Sequence, residues 1–227
     1  MNISYYLTVI CFKFKRVLNG LFFLLIQKPI YNLSYNNKSN SFNCNGLLFN
    51  SSIKLSGSGN KIIIEKGVRM NNVHIMVKGK NNKLIIHQNV IFRESGRVKL
   101  EDEDNIIEIG QRSDFVDCFF AVSDYNSKIE IGEDCMFSAK IIIRNSDVHS
   151  ILNEQNKRIN KAKDTIIGNR VWIGYGATIL KGTYIGDDSI VGTQSVVTGI
   201  KIPIGSIVAG NPARIVKGGI HWCRERL

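Results

Sequence analysis

The stretch Ser146-Asp147-Val148-His149-Ser150 places a histidine and a carboxylate two residues apart in a polar segment. An imidazole, with an ordinary pKa of about 6.5, can take a hydroxyl proton near neutral pH, and such assistance typically accelerates a reaction by about 10²–10⁴-fold. His149 is therefore the candidate general base, and Asp147 a candidate to orient its ring. A loop histidine does this work only if a rigid frame carries it to a cleft.

The frame is written in the spacing of aliphatic residues. Ile167, Ile173, Ile179, Ile185, Val191 and Val197 stand six apart, a period that neither an α-helix nor an ordinary strand produces. Four residues after the first five come Val171, Ala177, Thr183, Ser189 and Ser195, all small or β-branched, and Gly168, Gly174, Gly186 and Gly192 directly follow four of the six. This reads as a triangular solenoid: the aliphatic residue points into the core, the small residue fills the corner, and glycine is expected to allow the bend.

Upstream the period persists in looser form, as Ile64-Met70-Met76, Ile86-Phe92-Val98, Ile109-Phe115-Ala121 and Ile131-Phe137-Ile143. Successive series start 22, 23 and 22 residues apart, one eighteen-residue coil plus a small bulge. The bulges fall at Gly79 to Asn82, Glu101 to Asn105 and Asp124 to Ser127, all rich in turn formers, and predict a ridge along one corner. Ile131 to Ile167 spans 36 residues, whose polar second half, Ser150 to Asp164, lacks the hexad and predicts an extruded loop.

Residues 131–217 resemble the hexapeptide-repeat acyltransferases. A serine/aspartate-rich stretch leading into His-Ser, then a polar loop, then Ile167-Gly168-Asn169-Arg170-Val171-Trp172-Ile173-Gly174, is similar to the branch that O-acetylates surface polysaccharides and sialic acids. The resemblance implies a mainly β fold, a left-handed parallel β-helix with three hexads per coil, although the usual crossover rule favours the opposite hand. It also implies that His149 deprotonates a sugar hydroxyl, which attacks acetyl-CoA directly, with a backbone N–H near the Gly174 turn stabilising the oxyanion. By the same resemblance Trp172 lines the cleft and contacts substrate; packing against a neighbouring subunit is the plainer reading of an outward tryptophan. Gly174, Tyr175, Thr193, Thr198 and Arg214 carry over as the coenzyme A groove. The family's lysine after Val-Val-Thr is replaced by Gly199, so Lys201 or Lys217 is the candidate substitute for the phosphate end. A homotrimer with sites between subunits is implied as well.

Composition fits one domain of 227 residues with 44% hydrophobic content and three prolines. Residues 1–50 are expected to form a helical N-terminal cap, 51–217 the β-helix with its loop near 150–164, and 218–227 a tail. The apolar runs at 3–12 and 17–26 flank Lys13, Lys15 and Arg16, a pattern compatible with peripheral membrane contact but too short to span a bilayer. Five cysteines without metal-site spacing favour reduced thiols and a cytoplasmic location. Four scattered histidines give no expectation of a metal, and His74, His87 and His221 read as structural or exposed. The formal charge of +11 implies an anionic partner. No nucleic-acid motif is present, whereas a phosphorylated cofactor, an acidic saccharide or a membrane surface explains the sign. The expected activity is O-acetylation of a capsule or O-antigen sugar; N-acetylation of a nucleotide-linked amino sugar and a non-catalytic polymer- or ice-binding solenoid are the alternatives.

Overall fold

Alternation of inward aliphatic and outward polar residues, repeated at coil spacing, leaves each strand one partner above and one below, and the chain winds into a parallel β-solenoid. The computed structural model describes residues 30–35 and 37–226. After β1 (Ile30–Tyr35), the first coil holds β2 (Ser41–Cys44) and β3 (Leu47–Ser58), the second β4 (Lys61–Ile64), β5 (Arg69–Asn71) and β6 (Val73–Lys80). The third coil holds β7 (Lys83–Ile86) and β8 (Ile91–Leu100), the fourth β9 (Ile106–Ile109) and β10 (Asp114–Val122), the fifth β11 (Lys128–Ile131), β12 (Met136–Phe137) and β13 (Ile141–Arg144). Then come β14 (Thr165–Ile167), β15 (Trp172–Ile173) and β16 (Thr178–Ile179), followed by β17 (Tyr184–Ile185), β18 (Ile190–Val191) and β19 (Val196–Val197). The last turn is β20 (Lys201–Ile202), β21 (Ile207–Gly210) and the antiparallel β22 (Ala213–Lys217).

The first face is the stack β2-β4-β7-β9-β11-β14-β17-β20. The second runs through β12, β15, β18 and β21, and the third through β13, β16 and β19; in the lower coils long strands such as β8 and β10 bend from one to the other. The registers Ile64↔Ile86↔Ile109↔Ile131↔Ile167↔Ile185 reproduce the spacings read from the sequence, and Ile202 follows Ile185 one shorter coil on. The small corner residues Val171, Ala177, Thr183, Ser189 and Ser195 are all buried. Phe92, Phe115 and Phe137 stack through the core at centroid distances of 4.8 and 4.7 Å.

Three expectations change. The third-face core residues of the second and fourth coils are Ile75 and Phe120, with Met76 and Ala121 turned outward, because there the corner takes one residue fewer. Strands of the solenoid occupy the segment assigned to a helical cap, with β1 paired to β3 and the first face starting at Ser41: outward Leu47 and Phe49 flank inward Leu48, so both strand surfaces are apolar and the alternation is hidden. The cap expected before residue 30, with its membrane contact, lies outside the described residues. Finally, Gly174 does not make the bend. A Cβ there would sit 2.7 Å from the Thr193 amide nitrogen of the next coil, so glycine is required by close approach, while the left-handed turn falls at Gly176 (φ +69).

The ridge is present as expected. Bridges Lys80↔Glu103↔Tyr125 align the three bulges, and Asn81, Asp102 and Asp124 take positive φ there. Beneath it runs a buried ladder: Asn60, Asn82 and Asn105 each accept the next rung's backbone N–H at 2.9–3.1 Å while their amides donate to carbonyls of the neighbouring turns. The ladder ends through Ser127 at Asn145, whose amide donates to Ser127 Oγ at 2.6 Å. Asn145 is the residue from which the long loop departs.

Candidate functional site

The loop between β13 and β14 leaves the edge joining the third and first faces, and four side chains that sequence reasoning passed over hold it there. Asp124, on the ridge, receives Arg158 through two parallel bonds of 2.8 and 2.7 Å, the Ala162 amide at 3.1 Å and Ser146 Oγ at 3.3 Å. The Arg158 guanidinium holds its carboxyl below the usual carboxylate range. Asn160 is buried and fixes the main chain on either side of the histidine: its Nδ2 donates to the His149 carbonyl at 2.8 Å and its Oδ1 accepts the Ile151 N–H at 2.7 Å.

The backbone at His149 is thus pinned while its exposed imidazole makes no hydrogen bond to any described residue. Asp147 does not orient the ring. Its carboxylate is taken by Lys181 Nζ, with Asn160 Nδ2 at 2.8 Å, and the ammonium of Lys181 lowers its pKa. Asp147 therefore joins the loop to the coil above. Asp124 was legible only as a turn former, and its pairing with Arg158 across 34 residues leaves no periodic trace in the sequence.

The expected donor residues fall on two edges. Gly174 and Tyr175 occupy the edge joining the second and third faces, and Thr193 follows one coil on, where the Gln194 amide donates to the Tyr175 carbonyl at 2.8 Å. Ala209 stacks above Gly192 and pairs with Arg214, which brings that exposed arginine to the same edge. Lys217 sits at the other end of the hairpin, opposite Ile207. Thr198 follows β19 on the edge of the His149 loop, in the column Arg144, Leu180, Thr198. The Gly174 amide is committed to Val191 O at 2.8 Å.

Trp172 faces outward on the second face, 38% exposed, and its ring lies 5.9 Å from that of Trp222. The tail folds back down the stack: Ile220 N–H donates to Gly205 O at 2.9 Å, Trp222 Nε1 to Arg170 O at 2.6 Å, and Arg224 to Cys135 O at 3.0 Å. A single chain therefore holds His149 on one edge and Trp172 on the face across the prism.

His87, His74 and Cys135 make structural contacts. His87 bridges Glu65 at 3.2 Å and Glu108 at 2.8 Å, joining three coils, and His74 Nδ1 lies 2.8 Å from Ser52 Oγ. Cys135 fills a corner, where burial pushes its thiol up to about 12. Among the described residues no cluster of three His, Cys, Asp or Glu forms a metal cage, and no helix is long and apolar enough to cross a membrane.

Residues 164–199 match the bacterial transferase hexapeptide (six repeats) family. The chain is 33% identical over 170 residues to a polysialic acid O-acetyltransferase of Neisseria meningitidis, an alignment covering 74% of this chain and 78% of the relative. Two solved structures superpose with a TM-score of 0.77: the polySia-specific acetyltransferase NeuO, at 33% identity over 86% of this chain and 89% of that one, and the polysialic acid O-acetyltransferase OatWY, at 30% identity over 87% and 93%. A mirror-image winding could not superpose so well, so the solenoid shares the hand of its relatives. On the repeat, the solenoid and these relatives together, the chain belongs to the hexapeptide-repeat acyltransferases, with their left-handed β-helix.

Proposed function

We propose that this protein is an acetyl-CoA-dependent O-acetyltransferase whose acceptor is a hydroxyl of a bacterial cell-surface saccharide, of the capsule or O-antigen kind. The observation that carries the reading is His149, backbone-pinned and ring-free on a clamped loop, in a chain that superposes on two polysialic acid O-acetyltransferases. The imidazole takes the hydroxyl proton as the oxygen attacks the thioester carbonyl; the tetrahedral intermediate collapses, the acyl–sulfur bond breaks, and the imidazolium returns the proton to the departing thiolate. The oxyanion needs a fixed donor. The Gly174 amide is engaged, whereas that of the adjoining Tyr175 donates to no described residue and suits the role.

Because His149 and Thr198 lie on one edge and Gly174, Tyr175, Thr193 and Arg214 on another, a complete site forms between copies of the chain, for which the trimer of the family is the natural closure. Arg214 serves the nucleotide phosphates, and Lys217, at the other end of the same hairpin, is the second cation proposed for them. Both substrates fit a cytoplasmic enzyme, and the apolar runs at 3–12 and 17–26 with Lys13, Lys15 and Arg16 between them support peripheral contact with the membrane surface. Calorimetric titration with acetyl-CoA tests the donor without knowledge of the acceptor, and one site per chain is expected. His149→Ala should then reduce turnover by about a hundredfold or more while donor binding and assembly persist. Turnover near wild type would remove His149 from the mechanism, and hydroxylamine-stable product would reassign the reaction to an amine.

A further inference from the structure

Basic residues scattered along the sequence are gathered by the register onto the third face. One outward column reads Ser52, His74, Arg97, Phe119 and the next Lys54, Met76, Lys99, Ala121, Arg144, on rungs about 4.8 Å apart. Lys54, His74, Arg97 and Lys99 line a groove of about 390 Å³. Phe119 is half-buried between two guanidiniums, Arg97 at 5.4 Å and Arg144 at 5.2 Å from its ring centroid.

Pairing sets these cations apart from four arginines elsewhere. Arg93, Arg112, Arg158 and Arg170, elsewhere on the solenoid, each hold a carboxylate. On the third face Lys99 pairs with Glu101, but Lys54, Arg97 and Arg144 have no acidic partner among the described residues. Unpaired like charges two rungs apart on one face raise a positive potential there, which a polyanion relieves.

We infer that this stripe is a docking track for an acidic polysaccharide, distinct from the edges that carry His149 and the donor groove. Carboxylates repeated along such a chain would meet cations repeated along the coils, and the apolar face of a sugar ring would rest on Phe119. An extended polymer suits a stack of rungs better than a monosaccharide does. The inference rests on the acetyltransferase reading for its choice of a saccharide occupant.

The test is the Lys54→Gln/Arg97→Gln double variant of the full chain, titrated with polysialic acid of long and two-residue length, with neutral dextran and with vesicles containing anionic phospholipid. The wild type is expected to bind the long polymer, more weakly at high salt, and to ignore dextran; the double variant should bind it about tenfold more weakly, the scale of two lost charge-assisted contacts. In the acetyl-transfer assay KM for the long acceptor should rise in parallel. Equal binding by variant and wild type, no polymer binding by the wild type, or stripe-dependent retention by vesicles in preference to polymer would each overturn the inference. Transfer to a saccharide with unchanged KM in the variant would sink the track alone. Stripe-dependent polymer binding without transfer to any saccharide would sink the catalytic reading alone.

Discussion

Asn105 lies at the centre of the ladder that supports the loop carrying His149, and its replacement by alanine has a cost that follows from its contacts. It is fully buried. Its Nδ2 donates to Glu101 O at 2.7 Å and Asp124 O at 2.6 Å, and its Oδ1 accepts the Ser127 N–H at 3.1 Å and Ser127 Oγ at 2.8 Å. In Asn105→Ala the Ser127 hydroxyl keeps Asn145 and Ser123 as partners, but the Ser127 amide is left without an acceptor and two carbonyls lose a donor. One orphaned buried N–H costs about 1–3 kcal/mol, and with the two carbonyls and the vacated volume the sum is about 3–5 kcal/mol. At about 2–4 °C per kcal/mol for a unit of this size, the melting midpoint should fall by about 10 °C. The control is Asn71→Ala, whose exposed amide donates to Arg93 O at 3.1 Å and whose loss should stay within about 0.5 kcal/mol. Thermal melts followed by circular dichroism, with urea melts in parallel, make the comparison. A midpoint for Asn105→Ala within about 2 °C of Asn71→Ala would refute the assignment of the ladder as the solenoid's internal support.

Asp124→Asn should free the loop: trypsin cleavage at Lys157 and Arg158 becomes several-fold faster and turnover falls several-fold, while acetyl-CoA affinity is kept. Because the folded pKa of Asp124 is depressed by Arg158, the clamp is at full strength above the ordinary carboxylate pKa of about 3.9 and is lost as pH falls through the lower folded value. Loop proteolysis in the wild type should therefore accelerate only below about pH 4, and a step near neutrality would contradict the clamp. At His87 burial works against protonation, but Glu108 and Glu65 outweigh it and raise the pKa. The stability it adds is complete below about pH 6.5 and lost as pH rises through the higher folded value, so His87→Gln should flatten that part of the stability–pH curve. Trp172→Ala should raise the acceptor KM several-fold at unchanged donor affinity; a loss of stability alone, matched by Trp222→Ala, would limit Trp172 to anchoring the tail.

The architecture was legible because a solenoid is close to one-dimensional: each inward residue meets the residue one coil away, so Ile64, Ile86, Ile109, Ile131 and Ile167 announce their contacts by spacing alone. The loop was legible for the complementary reason, as the place where the hexad stops, and His149 was legible as the residue that a break in a rigid frame would present. Corner length was not, since Met76 and Ala121 stand where a strict period puts the core, and only packing reveals that a corner has lost one residue. Nor was the clamp, because Asp124, Arg158, Asn160 and Lys181 meet through folds of a loop that follows no period. The charge of +11 was visible in the composition, but its meaning lay in register: stacking placed Lys54, Arg97 and Arg144 on one face without an acidic partner among the described residues and paired most of the other described arginines. The sequence by itself determined the coil, its core and the point where it opens. Only the tertiary structure decided that His149 and Trp172 lie on different sides of the prism, because the edge a residue occupies depends on the summed lengths of every corner before it.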